Sequence, residues 1–353
     1  MYKKIIIFLI LFPFSLLLAA CGTGGEISAT EKQDTEPDNQ SSVANEASDI
    51  SEKSSAAVKD NSTENKDVSD ISENPSAAEN SSAAEGEIKS LNFIYKEENL
   101  TYDLVWSDEF DYEGRPDWKK WSCELGGHGW GNNELQYYTN NDNVTVADGK
   151  MIIEARKEEM GGRDVTSTRI VTAGKGDWLY GKFEICAKVP KGLGSWPAIW
   201  MLPTQSGYGS WPDIGEIDIM EHVGLDEDVI VTTVHTAAYN HSIGTQKGES
   251  RKYPGITDDF HVYGIEWLPD KIKFSIDGEV QFVYDPSQYG TDEITYREWP
   301  FDKPFHLIIN LAFGGDWGGM NGVDYDILPL TYEIDYVRVY QSPEINALAA
   351  EQP

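Results

Sequence analysis

The chain is poor in cysteine, with three in 353 residues, and poor in positive charge, with 28 Lys and Arg against 60 Asp and Glu. Three cysteines exclude a disulfide-dense scaffold, leaving at most a pair, Cys123 and Cys186, that can bridge in an oxidising compartment. A formal charge of -32 excludes nucleic acid and anionic membrane surfaces as partners. It fits a soluble extracellular protein that acts on something neutral. The sequence also lacks long helical periodicity, so a helical bundle is excluded. What it has in quantity is aromatic side chains, with 11 Trp and 18 Tyr.

The one long apolar run is at the start. Lys3-Lys4 precede an apolar stretch from Ile5 to Leu18, which ends in Leu18-Ala19-Ala20-Cys21. It reads as a secretory signal, too short and wrongly flanked for a spanning helix. Its end resembles a bacterial lipobox, which implies cleavage before Cys21 and lipid on that cysteine. Residues 22–92 are rich in Ser, Ala, Glu, Asp and Asn, and Ser48-Asp49-Ile50-Ser51-Glu52 recurs as Ser69-Asp70-Ile71-Ser72-Glu73. Such a composition cannot offset the entropy of folding, so a disordered acidic linker is expected there. Residues 93–343 then form the folded domain and 344–353 a tail.

In that domain, aromatic and β-branched residues alternate in short runs punctuated by Gly, Asp and Pro, the pattern of an all-β sandwich. Asp148-Gly149 and Asp277-Gly278 each sit between two such runs and predict hairpins over 143–155 and 271–284. Further strands are predicted over 180–188, 260–267, 305–313 and 332–340.

The chain is organised around Gly215-Glu216-Ile217-Asp218-Ile219-Met220-Glu221-His222-Val223-Gly224. On a strand, Glu216 and Asp218 share one face and Ile217 and Ile219 the other. Glu221 falls out of phase, and a β-bulge near Met220 would return it to the acidic face. Three acids on one face push their pKa values apart, so one can stay protonated while another ionises. Hydrolysis of a glycosidic bond requires that division of roles. A solvated acidic edge strand or a divalent-metal site uses similar spacing.

Glu-Ile-Asp-Ile-Met-Glu resembles the signature of glycoside hydrolase family 16 in the bulged form of its laminarinase branch. The resemblance runs from about Asp103 to Tyr340. It includes the opening strand Leu104 to Phe110, the block Gly129-Trp-Gly-Asn-Asn-Glu-Leu-Gln-Tyr-Tyr138, the tryptophan strand Gly194 to Pro203 and the closing strand Tyr332 to Tyr340. It implies a β-jelly-roll sandwich of two antiparallel sheets with a concave substrate groove. Glu216 is implied as nucleophile, Glu221 as acid and base, and Asp218 as the residue orienting Glu216, with Met220 as the bulge. Trp196, Trp200 and Trp211 are implied to line the groove, Arg169 its floor, Asn133 its non-reducing side and His235 its leaving-group side. Structural calcium is implied at Glu109, the Gly149 carbonyl and Asp335, with no catalytic cofactor. The segments 291–304 and 314–321 are groove-loop candidates.

These features imply a retaining endo-β-1,3-glucanase, monomeric, acting on β-glucan polysaccharide such as laminarin. They imply a cell-surface lipoprotein that meets a bacterial membrane only through its N-terminal lipid. Competing readings are a mixed-linkage β-1,3-1,4-glucanase, a galactan-degrading relative, a non-catalytic β-glucan-binding module and a structural adhesin. The presence of both glutamates weighs against the last two, because three unused acids on one strand would only cost stability.

Overall fold

The computed structural model describes residues 93–205, 207–290 and 293–351. The signal, Cys21 and the linker lie outside the described residues. Two sheets pack face to face, one of ten strands and one of eight. Among the described residues the pairing is antiparallel, except that Gln136–Tyr138 runs parallel to Arg163–Ser167. The jelly-roll sandwich expected from the alternation is therefore the fold.

Strand Phe305–Phe313 shows how the sequence writes the two faces. Phe305, Leu307, Ile309, Leu311 and Phe313 are fully buried in the core between the sheets. Asn310 and Ala312, on the other face, line a groove outside it. The larger sheet answers with Phe183, Ile185 and Ala187 on Gly181–Lys188, and with Tyr263, Ile265 and Trp267 on His261–Trp267. Each such apolar side chain taken from water contributes about 1.5–3 kcal/mol. Both predicted hairpins form. Asp148 and Gly149 have φ of 53° and 73°, and Asp277 and Gly278 have 52° and 80°, the double left-handed geometry that a two-residue hairpin turn demands.

The structure adds detail at three places. Cys123 lies on Ser122–Glu124 of the smaller sheet and Cys186 on Gly181–Lys188 of the larger, and both are free thiols. At the C-terminal end, Pro343–Ala350 is a helix. Ser342 caps it by accepting from Ile345 N, Ile345 is buried, and the Glu344 carboxylate accepts from the Thr101 hydroxyl at 2.8 Å. The third is the segment 291–304. Its stretch Glu298 to Phe301 packs into the core: Trp299 and Phe301 are buried, and the Glu298 carbonyl accepts from the Tyr284 hydroxyl.

Candidate active site

The acid strand Glu216–Glu221 is paired on both sides, by Ser195–Pro203 and by Val229–His235. Against the second, Asp218 pairs with Thr233 and the next partners are Glu221 and Val231, so two residues face one. Against the first, Trp200 pairs with Asp218 and Ile199 with Met220, which leaves Ile219 unpaired. The bulge is present, and its extra residue is Ile219 rather than Met220. Ile219 and Met220 are both buried in the core. Folding two apolar residues inward together brings Glu221 back to the face of Glu216 and Asp218. All three acids line the same groove.

Each glutamate is held by an indole. Trp211 Nε1 donates to Glu216 Oε2 at 3.1 Å, and Trp196 Nε1 donates to Glu221 Oε1 at 3.1 Å. His235 pairs directly across from Glu216, with Nε2 3.3 Å from Asp218 Oδ2 and 3.9 Å from Glu216 Oε1. Burial first, then the Asp218 charge, pushes Glu216 up to about 8, while the His235 and Arg169 charges oppose the rise. Burial also raises Asp218. Glu221 is raised well above the usual carboxylate range, by burial and then by the charges of Asp218 and Glu216, and the Trp196 hydrogen bond partly offsets this. Three neighbouring carboxyls in a poorly solvated site cannot all ionise, so the cluster retains protons near neutrality. That arrangement supplies a carboxylic acid and a carboxylate side by side.

The groove walls differ in detail from the sequence reading. Trp196 and Trp200 do share its face, together with Ala198. Trp200 gives its Nε1 to Asn310 Oδ1 at 2.7 Å. Trp196 is nearly buried, and Trp317 meets its ring edge-on at 5.5 Å, so it is a support for Glu221 more than an open stacking surface. Arg169 is on the floor as expected. Its guanidinium lies between Trp130 and Trp200, 5.0 and 4.5 Å from the ring centroids, and its Nε donates to Glu124. Asn133 is exposed at φ 53° and donates to Asp316, a residue of the groove lining, at 3.0 Å, while its neighbour Asn132 stands nearer the acids.

Sequence reasoning missed Trp130, Asn132, Glu134, Asn310 and His241. Only the Gly-Trp-Gly-Asn-Asn-Glu block carried a signal for the first three. Beyond the acids the groove opens into a cavity of about 530 Å³ walled by His235, His241, Gln246, Trp317 and Met320. Asp316, Trp317 and Met320 come from the predicted loop 314–321.

Of the residues implied for calcium, Glu109 is paired with an arginine. Both oxygens of Glu109 accept from Arg338, from Nε at 2.9 Å and from Nη2 at 2.7 Å, which holds the Glu109 carboxyl below its usual range. Gly149 is in the hairpin turn, and Asp335 is exposed at a register shift of Leu330–Gln341. A cation on Glu109 would have to share or displace that guanidinium.

A model described as glycosyl hydrolases family 16 matches residues 131–338. A β-glucanase of Rhodothermus marinus is 55% identical over 244 residues, which cover 68% of this chain and 85% of that protein. A glucan endo-1,3-β-glucosidase of Cryptopygus antarcticus is 38% identical over 258 residues, covering 67% of this chain and 90% of that protein. Among solved structures, the laminarinase from Rhodothermus marinus is similar with a TM-score of 0.67 and 54% identity, over 69% of this chain and 99% of that one. The chain belongs to glycosyl hydrolase family 16.

Proposed function

We propose that this protein is a retaining endo-β-glucanase that cuts internal β-1,3-glucosidic bonds of laminarin-type glucans. The observation that carries the reading is the bulged strand, which sets Glu216 and Glu221 on one groove face with a separate indole donor on each. Glu216 attacks the anomeric carbon as the Glu221 proton passes to the departing glycosidic oxygen. The glycosyl ester on Glu216 is then opened by water, whose proton returns to Glu221. Two displacements at one carbon retain its configuration. Asp218 and His235 position Glu216, the Asp218 charge raising its proton affinity and the His235 charge opposing that rise. The lining continues on both sides of the acids, from Trp130 and Arg169 to His241 and Trp317, which suits a polymer laid across the site over a chain end.

The linkage is supported by the laminarinase and endo-1,3-glucosidase relatives. Reducing-end release by the full chain and its Glu216→Ser variant, on laminarin, barley mixed-linkage glucan and agarose, tests it. Activity on laminarin that disappears in the variant is expected. Activity on barley glucan alone would keep the chemistry and overturn the linkage, and binding without hydrolysis would point to a lectin.

We further propose that the protein is an exported monomer tethered through lipid on Cys21. Cys21→Ala is expected to leave the membrane fraction, and unchanged partitioning refutes the anchor.

A further inference from the structure

We infer that Glu216, Asp218 and His235 form a binding site for a divalent transition metal of the zinc type, and that its occupation shuts the enzyme off. One ligand atom from each residue lies within 4.8 Å of the others. Zinc bonds of about 2.0–2.2 Å in tetrahedral geometry separate ligand atoms by about 3.3–3.6 Å. His235 Nε2 and Asp218 Oδ2 already stand 3.3 Å apart, and Glu216 Oε1 is 3.9 Å from the same nitrogen.

The available lone pairs point the same way. Asp218 Oδ2 is buried and makes no hydrogen bond, on a residue only 3% exposed. Glu216 uses Oε2 for Trp211, and its Oε1 lies 3.9 Å from His235 Nε2. Once a metal displaces their protons, two carboxylates cancel the charge of a dication, an imidazole nitrogen is the third donor, and three protein ligands leave a fourth position open to water. Imidazole among the ligands selects zinc or copper over calcium or magnesium. One feature limits the affinity. A metal-bound histidine ordinarily donates its second N–H to a partner, and His235 Nδ1 is buried without one. Binding is therefore expected in the micromolar range, as reversible inhibition rather than a resident cofactor. The inhibition rests on the role proposed for Glu216; the binding does not.

Isothermal titration of tag-free, EDTA-treated full-length protein with zinc chloride tests the site, alongside His235→Gln, Asp218→Asn and Glu221→Gln, with a melting curve for each. The wild type is expected to bind one zinc per chain. His235→Gln and Asp218→Asn are expected to bind about tenfold more weakly or worse. Glu221→Gln, inactive but outside the cluster, is expected to bind zinc within about threefold of wild type. Should one of the first two variants fail to fold, the other carries the reading. Wild-type zinc binding by a folded His235→Gln or Asp218→Asn overturns the proposal, as does equal loss in Glu221→Gln. Zinc binding with this variant pattern, in a protein inactive on every glucan, upholds the site and refutes the hydrolase reading.

Discussion

Trp196 donates its indole N–H to Glu221 Oε1 at 3.1 Å, from the strand that pairs with the bulge. The bond favours the ionised carboxyl, so it moderates a proton affinity already raised by burial and by two neighbouring acids. Trp196→Phe keeps most of the ring and removes the donor. A hydrogen bond to a charged group contributes about 1.5–3 kcal/mol, so kcat is expected to fall about tenfold or more. Glu221 then keeps its proton to higher pH, and the alkaline limb of the pH–rate profile is expected to move up. Kinetics across pH check this, and an unmoved or lowered limb contradicts it.

Glu216 carries a stability cost that depends on pH. Its carboxyl is pushed from 4.5 up to about 8, so the folded protein holds a proton that the unfolded chain releases. For an acid shifted upward, stability is fully present below the unfolded value and is lost as pH rises through the folded one. Glu216→Gln has no proton to lose. At pH 8 it is expected to exceed the wild type by a few kcal/mol, at about 1.4 kcal/mol per unit, and to melt several degrees higher. At pH 4 the difference is expected to vanish. Melting curves at the two pH values decide, and a gain that is equal at both refutes the burial argument.

The ion pair between Glu109 and Arg338 makes a prediction about metal removal. With both carboxylate oxygens engaged by the guanidinium, dialysis against EDTA is expected to shift the melting temperature by less than about 1 °C. A larger drop, restored by calcium, would put the cation at Glu109, Gly149 and Asp335.

Much of this was legible in the sequence, because period-two alternation and turn residues are local signals. Asp277-Gly278 encodes its own hairpin, and the out-of-phase Glu221 announces a bulge. What alternation cannot say is what covers a face. Trp196 reads as an open groove residue until Trp317, more than a hundred residues on, closes over its ring. Asn133 and Asn132 are indistinguishable by type; the left-handed turns at Trp130, Gly131 and Asn133 decide which of them enters the groove. Glu298 to Phe301 read as loop, and only the aromatic stack of Tyr284 on Trp299 shows that this stretch closes the core. The identity of the extra residue in the bulge depends on two neighbouring strands at once, so Met220 and Ile219 could not be told apart from one strand alone.

Azide rescue distinguishes Glu216 as the nucleophile of a retaining hydrolase from every other role it could have. Glu216→Gly is given an aryl β-laminaribioside with a good leaving group in the presence of azide, and the glycosyl azide is identified by proton NMR. With the nucleophile gone and the opposite face open, recovered turnover and an α-configured azide are expected. A β-configured azide, or rescue to the α product by Glu221→Gly in its place, would contradict it.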